Sequence, residues 1–446
     1  MNEEEILKAI DTAKEEIINF CQKLIQTDSV NPPGNELNVA KVISKFLEEN
    51  GIESEIFELG NNRANLIATL KGAGDKRLLL NGHMDVVPIE NEKNWVVPPF
   101  SASIKRKRII GRGAVDMKGP LAAMISAFVI LKRLNFPLKG NLILNCVSDE
   151  EVLGEIGTKW CITNYPEKMR ADAVIVCEPS GLDPLPKAIL IGEKGRLEVQ
   201  IITHGISYHA GMPALGVNAF EMFNKIFNNI HKLNSYISPV IPPFSKDELK
   251  SMLIECFGTK EIFEKIYEDN SILQALIDAL SNFTCTLSIV KAGLKENVGP
   301  GECTAILDIR LVQGQDSKEI INGLKKLIND VGYPIKSPDS AAKNELYVEL
   351  KINSLSEPSI VDRYDYEIID ILKNTYKEIY HKKTFKFLMP ATTDARFFRN
   401  SGFCKQTVVF GPGNATQAHS KNEYIDIKDL INATKTYALV AARFLK

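Results

Sequence analysis

Five short stretches gather imidazole and carboxylate groups, four of them where a buried apolar run gives way to a loop. LLLNGHMDVVP sets His83 at the end of such a run, with Asp85 two residues on. A metal-ligating imidazole commonly gives its other ring N–H to a carboxylate, which fixes ring and tautomer, and Asp85 is placed for that task. Standing alone, the pair reads equally as a loop histidine beside a solvated acid. GRGAVDMKGPLAAM puts Asp116 just ahead of a helix rich in small residues. A carboxylate there also suits an ordinary helix N-cap. NLILNCVSDEEVLGEIGT crowds Asp149, Glu150 and Glu151 at the end of an apolar strand. Adjacent carboxylates repel one another unless a cation, a proton or a helix N-terminus compensates. VIVCEPSG adds Glu178 directly after an apolar run, and GPGNATQAHSKNEYI adds His419 in a turn-rich loop. Two imidazoles and several carboxylates form a nitrogen and oxygen donor set suited to zinc, cobalt or manganese. A shared carboxylate in such a set commonly bridges two ions about 3.5 to 4 Å apart.

The elements that must hold these loops follow from periodicity. Apolar spacing over 4–26 predicts an amphipathic opening helix ended by VNPPGN, and a second helix follows at 35–50. ANLIATL, RLLLN, NLILNCV and AVIVC read as buried strands, with helices at 118–134 and 154–164 between them. That order predicts α/β layers on a mostly parallel central sheet, and open sheets of this kind bind ligands where their strands run out into loops. From Lys194 the texture changes: GRLEVQIITH alternates, 217–231 is helical, strands follow near 284–292, 302–312 and 345–353, and a helix at 316–331 lies between the last two. The order βαββαβ is that of a small two-layer α+β unit. The stretch 235–282 has no place in that order and reads as an extra insertion. From about 356 the α/β texture resumes with a helix at 362–380, the turn-rich PATTDARFF, the strand QTVVF and a final helix at 427–445. The predicted architecture is α/β: a discontinuous catalytic domain, 1–193 and 355–446, interrupted by an inserted α+β domain at 194–354.

Composition narrows the class of partner. The 446 residues carry 54 Lys+Arg against 56 Asp+Glu, a net charge of -2 that offers no field for nucleic acid or an anionic membrane surface. The opening MNEEEILKAIDTAKEEIINF lacks the basic start and apolar centre of a secretory signal, and the apolar run LAAMISAFVIL falls short of a membrane span. Eight cysteines stand singly without a CxxC, most among apolar neighbours, and read as buried thiols of a reducing cytoplasm rather than as disulfides or zinc ligands. With only six histidines in the chain, each one in an unusual motif carries weight.

Taken in order, NGHMDVVP, GRGAVDMKG, SDEEVLGEIGT, CEPS, THGISYHAGMPALGVNA and the late AH at 418–419 resemble, over essentially the full chain, the two-zinc amidohydrolases that include acetylornithine deacetylase, succinyl-diaminopimelate desuccinylase, aminoacylase and carboxypeptidase G. The resemblance implies two divalent ions, zinc foremost, with His83 and Glu178 on one, Glu151 and His419 on the other, and Asp116 bridging both. It implies Glu150 as general base, Asp85 as the partner of His83, and a cis peptide after Asp116. It also implies His209 as an oxyanion donor reaching the partner subunit's site across a homodimer formed by the inserted lid domains. Arg310 and Asn297 match family positions that contact substrate, Arg310 as a fork for its α-carboxylate; Thr392 lies in a family binding loop, although Ala391 stands where Gly is frequent. His204, His231 and His381 match no functional position and are expected to be structural.

The implied reaction is hydrolysis of the amide of an N-acyl amino acid by a metal-bridged hydroxide. The family's deacylases and carboxypeptidases tend to carry Glu at the Glu178 position and its di- and tripeptidases Asp, so Glu178 favours the former group. The alternatives are a carboxypeptidase or dipeptidase of the same family, or an inactive binding protein with the same fold. A two-metal phosphohydrolase would want more cationic residues near the carboxylates than Lys118.

Overall fold

The computed structural model describes residues 2–183, 185–257 and 259–446, apart from the side chains at 255 and 256. The thiol of Cys256, one of those expected to be buried, therefore lies outside the described residues. At the centre of the larger sheet, Asn141–Val147, Arg77–His83, Ala173–Val176 and Thr407–Val409 lie side by side and parallel. Antiparallel neighbours flank them: Arg63–Leu70 and Ser54–Gly60 on one side, Ala188–Glu193 and Ser359–Ile360 on the other, with Phe385–Met389 parallel to Ala188–Glu193.

Register positions the site. His83 pairs with Val147, Asn81 with Val176, and Val176 with Val409, so the four central strands end level with one another. The loops carrying Asp85, Asp149 to Glu151, Glu178 and His419 consequently leave the sheet along one edge. The central strands are apolar on both faces, as layers on either side require. Their cover includes Lys118–Arg133, a helix buried throughout except at its basic end, which packs against Ile427–Phe444 and Lys14–Gln26. The expected opening helix is two, Glu3–Thr12 and Lys14–Gln26, broken at Ala13.

The strands Thr284–Ala292, Glu302–Leu311, Gly195–His204 and Tyr347–Ser356 make a second sheet, wholly antiparallel. Alternation along Glu302–Leu311 turns Cys303, Ala305, Leu307, Ile309 and Leu311 into a second apolar cluster with Ala219–Asn228 and Ser317–Asp330. Asp308 and Arg310 lie on the opposite face. The 235–282 stretch contributes three helices, Lys246–Phe257, Lys260–Asp269 and Ser271–Ser281. Although it lies in the chain between elements of the smaller sheet's layer, its buried side chains, among them Phe244, Leu249, Leu253 and Ile277, join the larger core. Among the described residues no helix is long and apolar enough to cross a membrane. The seven described cysteines are unpaired, all buried except the half-buried Cys285.

Candidate metal centre

Asp116 stands between the two imidazoles. Its Oδ1 lies 3.0 Å from His83 Nε2, and its Oδ2 lies 3.3 Å from His419 Nε2. Glu178 Oε1 completes one side at 3.3 Å from His83 Nε2, and Glu151 Oε2 completes the other at 3.0 Å from His419 Nε2. Two donor sets result, His83 with Asp116 and Glu178, and Asp116 with Glu151 and His419. Ligand distances of about 2.0–2.2 Å in a tetrahedron give edges of roughly 3.3–3.6 Å, close to these separations, so both sets fit a cation such as Zn²⁺. The second Glu151 oxygen, Oε1, is buried without a hydrogen-bond partner, which an added cation would explain. The peptide from Asp116 to Met117 is cis, as the family resemblance implies.

The support beneath these ligands begins with Asp85. His83 Nδ1 lies 2.9 Å from the main-chain carbonyl of Asp85 and 3.4 Å from its carboxylate, so the nearer acceptor is the carbonyl rather than the expected side chain. The Asp85 carboxylate has a wider role: it accepts the amides of Glu150 and Glu151, each at 3.2 Å, and the side-chain amide of Asn31 at 2.8 Å. It thereby ties the acidic turn to the strand that carries His83. The three adjacent acids are also drawn apart. Asp149, at φ 74°, sends its carboxylate to Arg63 at 2.8 Å, Arg63 is held in turn by buried Glu36 at 2.6 Å, and Glu151 faces His419. Glu150 belongs to neither donor set.

The electrostatics show an excess of negative charge that wants a cation. Burial, reinforced by Glu178, Asp394 and Glu151, pushes Glu150 well above the usual carboxyl range against the pull of His83. Burial lifts Glu178 to about 7, and burial together with Asp116 lifts Glu151. Burial would depress His83, but the charge of Glu178 and hydrogen bonds to Asp116, Asp85 and Glu178 hold it well above the usual imidazole range. Hydrogen bonds to Asp116 and Glu151 raise His419 to about 11. Burial would raise Asp116 too, yet His419 and His83 hold it low. A cation bound here would compete with protons for the two imidazoles.

The remaining expected residues belong to neither donor set. His209 pairs with Val298 in a two-stranded ribbon, and the Asn297 carbonyl accepts the Ala210 amide, so His209 and Asn297 are neighbours. His209 is exposed, and its Nδ1 accepts the Gly211 amide at 3.1 Å. Arg310 is half-buried on the open face of the smaller sheet and forks onto Asp308 at 2.6 and 3.2 Å. Thr392 is half-buried beside Thr393, whose amide and hydroxyl are both held by buried Glu193. No contact joins His209, Asn297 or Arg310 to the metal ligands among the described residues. His204 stacks on Tyr347 at 4.2 Å within the smaller sheet.

Several supporting residues were not singled out from the sequence. Asn31 sits in VNPPGN, which periodicity presents only as a helix stop. Arg63 and Glu36 carry no motif. Asp394 in PATTDARFF is buried, takes the Thr158 hydroxyl at 2.7 Å, and is raised by burial to about 6. Arg112 and Glu423 stand inside quoted motifs, GRGAVDMKG and HSKNEYI, and form a buried ion pair at 2.7 Å. Lone charged residues flanking a ligand are the available signal, but their pairing is not visible in one dimension.

A family model described as "Peptidase family M20/M25/M40" matches residues 79–443. Among curated proteins, the chain is 27% identical over 431 residues to a "Probable succinyl-diaminopimelate desuccinylase" of Staphylococcus aureus, covering 96% of this chain and 99% of that protein. Among solved structures, it is similar to an M20 family metallo-carboxypeptidase from Sulfolobus solfataricus, with a TM-score of 0.79, 22% identity and coverage of 96% and 99%. It is also similar to a dipeptidase from Saccharomyces cerevisiae, with a TM-score of 0.77, 19% identity and coverage of 100% and 98%.

Proposed function

Because the chain belongs to peptidase family M20/M25/M40, and is accordingly a metal-dependent amidohydrolase, we propose that it removes the acyl group from an N-acyl amino acid, with Glu150 as general base. The observation that carries this reading is the division of Asp116, one oxygen facing His83 and the other His419. His83 and Glu178 would hold one cation, Glu151 and His419 the other, and Asp116 both; zinc suits the donors best, with cobalt and manganese next. When bound, two such cations supply Lewis-acid polarisation of an amide carbonyl and a lowered pKa for water.

The chain's own residues do the rest. Glu150 is desolvated and its carboxyl is pushed up, and its carboxylate would take a proton from the attacking water and return it to the departing amine. Asp85 holds the main chain of both Glu150 and Glu151, which keeps the base beside the donor sets without joining them. His209 and Asn297 are proposed to act from a second copy of the chain, in a homodimer formed through a lid domain at 194–354. The separation of the smaller sheet's core from the larger one supports that division. Arg310 would then exchange Asp308 for the substrate's carboxylate, with Thr392 lining the same pocket. The unpaired thiols suit a reducing cytoplasm, where we place the enzyme.

Glu178 supports a deacylase or carboxypeptidase over a dipeptidase, and the desuccinylase relative supports deacylation. Zinc-replete protein assayed against N-acetyl and N-succinyl amino acids and against dipeptides separates deacylation from peptide cleavage. Turnover of at least one N-acyl amino acid is expected; turnover confined to dipeptides would replace this reading with that of a peptidase.

A further inference from the structure

His419 is the ligand with the least support of its own. It stands in a loop at φ 60°, and its side chain is 54% exposed, against 1% for His83. What holds its main chain is Arg112, whose Nη2 donates to the His419 carbonyl at 3.4 Å and whose Nη1 donates to the Ser420 carbonyl at 3.3 Å. The same Nη1 lies 2.7 Å from Glu423 Oε2 in a pair almost closed to solvent. The other Glu423 oxygen, Oε1, accepts the amides of Val115 at 2.8 Å and Asp116 at 3.0 Å. Each end of this buried pair therefore touches the backbone of a different ligand segment, one at Asp116 and the other at His419. Glu423 is itself fixed, since its carbonyl accepts the Gly111 amide at 2.9 Å and the following strand Tyr424–Asp426 pairs with Arg108–Ile110.

Resting on the two-metal reading above, we propose that Arg112, braced by Glu423, is the positioning residue of the outer metal site. It aims His419 at Asp116 and Glu151 and leaves the His83 site to its own strand. The guanidinium suits this because its planar fork serves two carbonyls and a carboxylate at once, which an ammonium cannot reproduce. Residues that support a metal ligand in this way typically contribute 10- to 100-fold in metal affinity.

The test is stepwise titration of Zn²⁺ alone into metal-free protein, counting ions per chain for the wild type, Arg112→Lys and Glu423→Gln. Arg112→Lys keeps the buried charge but loses the fork. Glu423→Gln keeps an oxygen for the Val115 and Asp116 amides but weakens the brace. Both variants are expected to take the first ion as the wild type does and the second about 10- to 100-fold more weakly. Unchanged binding of both ions, or equal weakening of both, would overturn the proposal. Should Glu423→Gln fail to fold, Arg112→Lys alone decides between the same outcomes. A wild-type chain that takes up no zinc would instead refute the two-metal reading, a result distinct from any difference between variants.

Discussion

His83 and His419 face the same aspartate from opposite sides, yet they are held by different kinds of structure. His83 ends a central parallel strand, is 1% exposed, and has its ring braced by Asp85, which Asn31 holds in turn. His419 stands in a surface loop, 54% exposed, with its main chain steadied by one guanidinium. The ladder of a central strand fixes the inner half through many cooperative contacts, whereas the outer half depends on a few long-range side-chain bonds. Such a site has one half assembled by folding and another that is steered into place.

The hardest test of this contrast is Asp116→Asn, because that residue belongs to both halves. It is expected to lower uptake of both ions and bring hydrolysis to background, as read by metal content and by the substrate panel. Next in size, His83→Ala should cost the metal-free fold about 3–5 kcal/mol, since it leaves buried carboxylates unpaired. His419→Ala, whose ring is half exposed although Glu151 and Asp116 are not, should cost less, about 1–3 kcal/mol, and still leave the inner ion bound. Urea unfolding and ion counting on the two variants check this, and equal losses would erase the distinction between the halves. Glu150→Gln should lower kcat about 100- to 10,000-fold with both ions retained, because the base is in neither donor set.

The halves also differ in how they are legible from sequence. The members of the two donor sets could be picked out, because each follows a buried strand or sits in an unusual loop motif, and the parallel centre follows from the apolar runs. The smaller sheet's order was equally readable from alternation and helix spacing. What could not be read were the partners far apart in the chain: Asn31 with Asp85, Arg63 with Asp149, Arg112 with Glu423. Those pairs depend on which loops the folded sheet brings together, and nothing in the local pattern of residues encodes them. The same limit applies to the 235–282 insertion, whose apolar residues announce helices but not which core they join.

A smaller effect sharpens the electrostatic side. Hydrogen bonds to Asp116 and Glu151 hold His419 up to about 11 in the metal-free chain, so a cation competes with a proton for its ring. Zinc affinity of the outer site should therefore rise with pH, by up to ~tenfold per unit, with one proton released. Calorimetry in two buffers of different ionisation enthalpy would measure that release, and an affinity independent of pH would contradict it. Away from the donor sets, Asn31→Ala should cost about 1–3 kcal/mol of stability by leaving the buried Asp85 carboxylate one donor short.

The most direct measurement is the number of zinc ions that the wild-type chain takes up at saturation. Two per chain, bound in two resolvable steps, is the predicted result. None, or a single ion at saturation, would contradict a site in which one aspartate serves two imidazoles.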